Sequence, residues 1–195
     1  QLPFQEVDYW EELAHILDWS KTHVYCTLHI CWGAQAGLWR HYGIQKQPLG
    51  EKLFGVFRHR TLQPNHPLTR GFDEVFLAPH SRHTTVELAE VARCPCLEIL
   101  ADSPQAGLYI AARRDGRQVF VTGHSEYDRD TLHQEYRRDV EKGLAISLPE
   151  GYYPGDDPAQ TPSFLWRGHA NLFYVNWLNH VYQNTPYDLA LLQGF

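Results

Sequence analysis

The stretch Thr22-His23-Val24-Tyr25-Cys26-Thr27-Leu28-His29-Ile30-Cys31-Trp32-Gly33-Ala34 decides the fold. Residues 22–31 are rich in β-branched and aromatic side chains and stop at Trp32-Gly33, which reads as a strand. Small residues follow, and a helix is expected over 34–42. Upstream, Trp10, Leu13, Ile16 and Leu17 fall at helical spacing, with Asp8 placed to cap the start of a helix over 8–19. Helix, strand, sharp turn and helix in that order are the signature of an α/β sheet rather than of a β-sandwich.

Outward from this unit the chain continues in short strands. Segments 53–57 and 73–77 read as strands separated by a loop with Pro64, Pro67 and Gly71. Segments 97–100, 107–113 and 118–122 are apolar or alternating, and Asp115-Gly116 marks a hairpin between the last two. A polar-faced helix is expected over 128–141 and a terminal helix over about 170–182, with no internal repeat. At 195 residues and 43% hydrophobic content, the expectation is a single catalytic domain over 1–195.

Charge and cysteine usage exclude several function classes. The net charge of -6 is scattered and offers no basic stripe, which disfavours nucleic-acid binding while leaving room for a small anionic ligand. No run approaches the roughly 20 apolar residues that cross a bilayer. Cys26, Cys31, Cys94 and Cys96 are too few and too irregular for a disulfide scaffold, so a soluble protein of the reducing cytoplasm is expected. Two thiols astride Pro95 make poor tetrahedral chelators, so Cys94 and Cys96 read as loop cysteines and no metal site is expected. The chain begins with Gln1, and further sequence upstream is expected.

Cys31 sits where a nucleophile elbow puts its reactive group, on a tight strand-to-helix turn beside helix N-terminal amides and positive potential. Gly33 is expected to permit the turn, and the Trp32 N–H to face a developing oxyanion. His29 stands where an elbow usually has its first glycine, so spacing alone leaves a catalytic and a merely buried cysteine both open. His124 and Glu126 tip the choice. They follow the strand ending Val119-Phe120-Val121-Thr122 and lie two apart, so in extended geometry the carboxylate accepts one ring N–H and leaves the other nitrogen to a thiol. A surface histidine beside an ordinary acid is the alternative.

At these residues the sequence resembles the homoserine O-succinyltransferase and O-acetyltransferase family of methionine biosynthesis. The resemblance is carried by residues 7–10, by Thr27-Leu28-His29-Ile30-Cys31-Trp32-Gly33-Ala34-Gln35-Ala36-Gly37-Leu38, by Ala78-Pro79-His80-Ser81-Arg82-His83-Thr84, by Val121-Thr122-Gly123-His124, by Glu126-Tyr127-Asp128-Arg129-Asp130 and by Asn176-Trp177-Leu178-Asn179. It implies a class I glutamine amidotransferase-like fold, a flavodoxin-like layered sheet with flanking helices, in which Cys31 is the nucleophile, His124 the base and Glu126 its orienting acid. It implies transfer of an acyl group from coenzyme A to the homoserine hydroxyl through an enzyme thioester, with acyl-CoA as co-substrate and no other cofactor. Lys52, Ser81 and Arg138 fall at places the family uses near the acyl donor and the amino acid; solvated charges and a turn hydroxyl are their plainer readings.

A homodimer is also implied, and so is an N-terminal portion, carrying sheet strands and the second oxyanion donor, that is absent here. Ser125 replaces an expected proline, a change that would loosen its loop. Leu2 to Val7 looks more like acetyl-using than succinyl-using members. Two other functions compete: a glutaminase, because Cys with His-x-Glu also releases ammonia from glutamine, and a non-catalytic fragment needing an N-terminal partner.

Overall fold

A computed structural model describes residues 2–188. A single 3-10 turn, Phe4–Glu6, precedes helix α1, Trp10–His23. Trp10, Ala14 and Leu17 are its buried face. The helix runs past the expected end at 19 and takes in Thr22 and His23, which the sequence assigned to a strand. Ser20 and Thr22 hydroxyls donate back to the Leu17 and Trp19 carbonyls, and Lys21 brings positive charge to the helix C-terminus. Strand β1 is therefore short, Thr27–Ile30. Asp8 does not cap α1; Tyr9 occupies the N-cap position without a side-chain bond.

Helix α2, Trp32–Tyr42, starts directly after Cys31 and ends at Gly43 in the left-handed region with φ 71°. Strands β2, Lys46–Thr61, and β3, Val75–Val86, form a long antiparallel pair of which 53–57 and 73–77 are only parts. A short helix α3, Leu88–Arg93, which sequence periodicity did not signal, leads into β4, Leu97–Ser103. Strands β5, Gly107–Arg113, and β6, Gln118–Val121, make the expected hairpin. Its turn takes Gly116 at φ 72°, and the Asp115 carboxylate accepts from the Arg117 N–H at 3.1 Å. Helix α4 begins at Thr131, later than expected, and ends at Glu141; α5 is longer than expected, Arg167–Asn184.

The six strands form one mixed sheet in the order β1-β6-β5-β4-β2-β3. Only β1 and β6 pair in parallel, with Ile30 opposite Val121. Strands β5 and β6 are buried on both faces because helices cover both. Ala34 and Leu38 of α2 and Val91 of α3 pack with Leu108, Ala111 and Phe120 on one side. Phe173 of α5 packs with Ile110, Val119 and Val121 on the other.

Gly33 does not make the turn as expected, since it lies inside α2 and the positive φ falls on Cys31; the glycine that lets α2 approach the sheet is Gly37. A methyl group at Gly37 would lie 2.9 Å from the Phe120 ring and 3.2 Å from His29 Nδ1, whereas one at Gly33 meets nothing within 4 Å among the described residues. Gly37→Val is expected to cost about 1–3 kcal/mol through overpacking. Gly33→Ala is expected to be neutral or to gain up to about 1 kcal/mol in helix propensity. Urea unfolding of the two variants checks this, and the reverse order would refute the packing account.

Candidate active site

The parallel β1–β6 pair delivers the candidate nucleophile and base to the same sheet edge. Cys31 follows β1, and its N–H extends the pairing by donating to the Val121 carbonyl at 2.7 Å. Its backbone then turns sharply, with φ 49° and ψ −112°, one of two non-glycine residues with positive φ among those described. This is the strained elbow expected from sequence. Trp32 is the first residue of α2, so its N–H belongs to the helix-terminal amides that lack an intrahelical acceptor.

His124 lies three residues beyond β6, where its N–H donates to the Pro79 carbonyl at 2.9 Å. Gly123 makes this possible, because a methyl group there would sit 2.8 Å from the Tyr109 ring and 2.9 Å from His80. His124 Nδ1–H donates to the Glu126 carboxylate at 2.6 Å. The pair forms through a turn, closed by the Tyr127 N–H donating to the His124 carbonyl at 3.1 Å, and not through the extended geometry expected from the two-residue spacing. Burial pulls the imidazole pKa down, but hydrogen bonds and charge from Cys31 and Glu126 outweigh it and push the ring up to about 9. The Tyr127 ring stacks on His124 at 4.2 Å between centroids, and the Trp166 indole N–H holds the Tyr127 carbonyl at 2.9 Å. Ser125 does not loosen this loop: its hydroxyl is buried against the Tyr109 hydroxyl, with which it hydrogen-bonds.

Lys52 from β2, Ser81 from β3 and Arg138 from α4 converge on a residue that sequence reading passed over, Glu135. One Glu135 oxygen accepts from Lys52 Nζ at 2.7 Å and from Ser81 Oγ at 2.7 Å, with Arg138 Nη2 3.6 Å away. Arg138 Nε also donates to Asp139 at 2.7 Å, and Lys52 reaches Asp139 at 3.4 Å. Burial raises the Asp139 carboxyl pKa, but these cations more than offset that and hold it below its ordinary range. Lys52 is therefore no solvated surface charge, since its side chain is only 15% exposed; Arg138, at 54%, keeps an open face. The 135, 138, 139 spacing on one helix face is the signal that could have revealed the cluster. Cys31 and the cluster line one cavity of ≈ 430 Å³. Cys94 and Cys96, with sulfurs 3.1 Å apart, lie at the end of α3 and take no part in it.

The fold has solved counterparts. It is similar to a glutamine amidotransferase from Thermotoga maritima, with a TM-score of 0.66 and 14% identity, covering 93% of this chain and 74% of that one. It is also similar to one from Methylobacillus flagellatus, with a TM-score of 0.60 and 13% identity, covering 94% and 71%. The architecture is thus class I glutamine amidotransferase-like, and at such identities the likeness speaks to fold alone. The homoserine O-succinyltransferase family model matches residues 1–187, and the chain belongs to that family. It is 59% identical over 194 residues to a homoserine O-acetyltransferase of Acetivibrio thermocellus and 59% identical over 190 residues to one of Brevibacillus brevis. It covers 64% and 62% of their lengths, with 99% and 97% of this chain aligned.

The imidazole pKa carries a stability prediction. The folded value, about 9, lies above the ordinary 6.5, so protonation of the ring favours the folded state. That contribution is complete below pH 6.5 and is lost as pH rises through about 9. Glu126→Gln removes one of the interactions responsible and should flatten the fall in urea midpoint across this window; parallel curves for wild type and variant would contradict the assignment.

Proposed function

We propose that the protein is a homoserine O-acyltransferase of L-methionine biosynthesis that works through an acyl-Cys31 intermediate. The observation that carries this reading is the single cavity faced by Cys31, the partner of the oriented His124, and by the Lys52, Ser81, Glu135 and Arg138 cluster. A glutaminase needs the first half of that arrangement. A zwitterionic amino acid acceptor calls for both a cation and a carboxylate in the second, and Arg138 and Glu135 supply them.

The Cys31 thiolate attacks the acyl-CoA thioester carbonyl, and the Trp32 amide stabilises the oxyanion. Coenzyme A leaves with the proton held by His124. Acylation consumes the sulfur's charge, which is among the interactions that raise the ring's pKa, so His124 becomes a competent base for the second half. It takes the homoserine hydroxyl proton as the oxygen attacks the acyl-cysteine. The ester departs, and the thiolate and imidazolium are restored. Arg138 pairs with the amino acid's carboxylate and Glu135 with its ammonium group. The proposed donor is acetyl-CoA, supported by the likeness to homoserine O-acetyltransferases and by Leu2 to Val7. The proposed working form is a cytoplasmic homodimer; no helix among the described residues is long and apolar enough to cross a membrane.

Incubation with acetyl-CoA alone should add an acetyl group to Cys31, read by peptide mass spectrometry. An unmodified Cys31 in protein shown to turn over would overturn the covalent step, and ammonia release from glutamine without coenzyme A would favour the glutaminase. Arg138→Ala should raise KM for homoserine by about tenfold or more, the cost of a lost charge-assisted hydrogen bond, while leaving KM for acetyl-CoA nearly unchanged. Equal effects on both constants would remove Arg138 from the amino acid subsite.

A further inference from the structure

Arg82, on β3, stands outside the machinery described so far, and its charge has no ionic partner among the described residues. It is 4% exposed. Its Nη1–H donates to the Thr84 carbonyl at 2.6 Å, its Nη2–H to the Ala106 carbonyl, and its Nε–H to His80 Nδ1 at 3.4 Å. All three acceptors are neutral. The ring tautomers follow from the bonds: His59 Nδ1–H donates to the Phe57 carbonyl at 2.9 Å, so His59 Nε2 accepts from His80 Nε2–H at 2.9 Å, and His80 Nδ1 is left to accept from Arg82. Burial pushes His59 down to about 4 and His80 well below its ordinary range, so neither ring competes with the guanidinium for positive charge. Among the described residues no carboxylate forms an ion pair with Arg82, although a buried charge is normally paired.

The unpaired cation and Cys31 line the same cavity. We propose that Arg82 is a positioning residue whose fixed, buried charge holds the Cys31 sulfur in its anionic, nucleophilic form. This deepens the acyltransferase reading and rests on Cys31 being the nucleophile. Burial lowers the guanidinium to about 10, with Cys31 acting in the opposite direction, so Arg82 is charged at neutral pH and gains from a negative sulfur. From the loop after β6, the Glu126 carboxylate is bound to the His124 ring, and burial keeps the Tyr127 hydroxyl neutral. The His124 imidazolium supplies a second positive charge at the sulfur, but it gives up its proton when coenzyme A leaves, whereas the guanidinium keeps its own. Across the cavity the Lys52 and Arg138 charges are offset by Glu135 and Asp139, and Lys142 is exposed to solvent. Gln35 locks the geometry: its amide donates to the Thr84 carbonyl at 3.1 Å and its carbonyl accepts from the Thr84 hydroxyl at 2.7 Å, fixing the first turn of α2 against the strand that carries Arg82.

The test is the pH dependence of Cys31 alkylation by iodoacetamide in the intact protein without substrate, followed at the Cys31 peptide by mass spectrometry. Arg82→Gln is expected to move the midpoint up by about one pH unit, which slows labelling about tenfold at pH values below the wild-type midpoint. Since that variant also loses donors and can fail to fold, Arg82→Lys, which loses donors as well but keeps the positive charge, is read beside it, and its curve is expected to stay near that of wild type. A Gln variant that titrates as wild type does, or a Lys variant shifted upward by about one pH unit, overturns the inference and leaves Arg82 as a carbonyl clamp. Labelling needs no acyl donor, so that failure is read independently of whether acetyl-CoA modifies Cys31.

Discussion

The parallel pairing of β1 with β6 is the constraint on which the site depends. Two strands running the same way end at the same edge of the sheet, so residues just past their C-terminal ends are neighbours however distant in sequence. Ile30 lies opposite Val121, and the Cys31 N–H makes one further bond to the Val121 carbonyl before the chain turns into α2. His124 therefore needs only a short loop to meet the sulfur. The close-packed glycines serve the same pairing: Gly37 lets α2 lie against β6, and Gly123 lets the histidine loop pass between Tyr109 and His80.

Legibility in the sequence followed the physics of each element. The elbow could be read because a β-branched run and a helix-forming run meet at Cys31, and the hairpin because Asp115-Gly116 has turn chemistry of its own. Strands β2 and β3 were read as fragments because Lys52, Arg58, Arg60 and Arg82 interrupt their apolar runs and Pro48, Gly50 and Pro79 look like punctuation. Pairing of 53–60 with 75–82 and of 46–48 with 84–86, across an irregular stretch between Pro48 and Leu53, overrides those local signals. Glu135 was passed over because a carboxylate on a polar helix looks like any solvated acid. His59, His80 and Arg82 leave no periodic trace, since what makes them unusual is burial, which only tertiary structure confers.

The electrostatic organisation divides the cavity in two. On one side opposite charges are crowded together, Lys52 and Arg138 against Glu135 and Asp139, a surface of fixed dipoles suited to an ammonium and a carboxylate on the same small molecule. On the other side the histidine is clasped between Glu126 and the Tyr127 ring, and Tyr127 is itself held by Trp166, just before α5. The imidazole is thus steadied by parts of the chain far apart in sequence, which is why the serine in its loop is consistent with a rigid site.

The positive φ of Cys31 also narrows the chemistry open to this position over evolutionary time. Three uncharged side chains commonly serve as acyl-accepting nucleophiles: cysteine, serine and threonine. Threonine branches at Cβ, and a β-branched residue at φ 49° is a severe outlier, so the elbow excludes it on backbone grounds before any question of reactivity arises. Serine fits the turn, but its alkoxide would be far harder to sustain than a thiolate beside an imidazolium. For the proposed nucleophile, the geometry of one peptide unit reduces the alphabet to two letters, and the neighbouring ring selects between them.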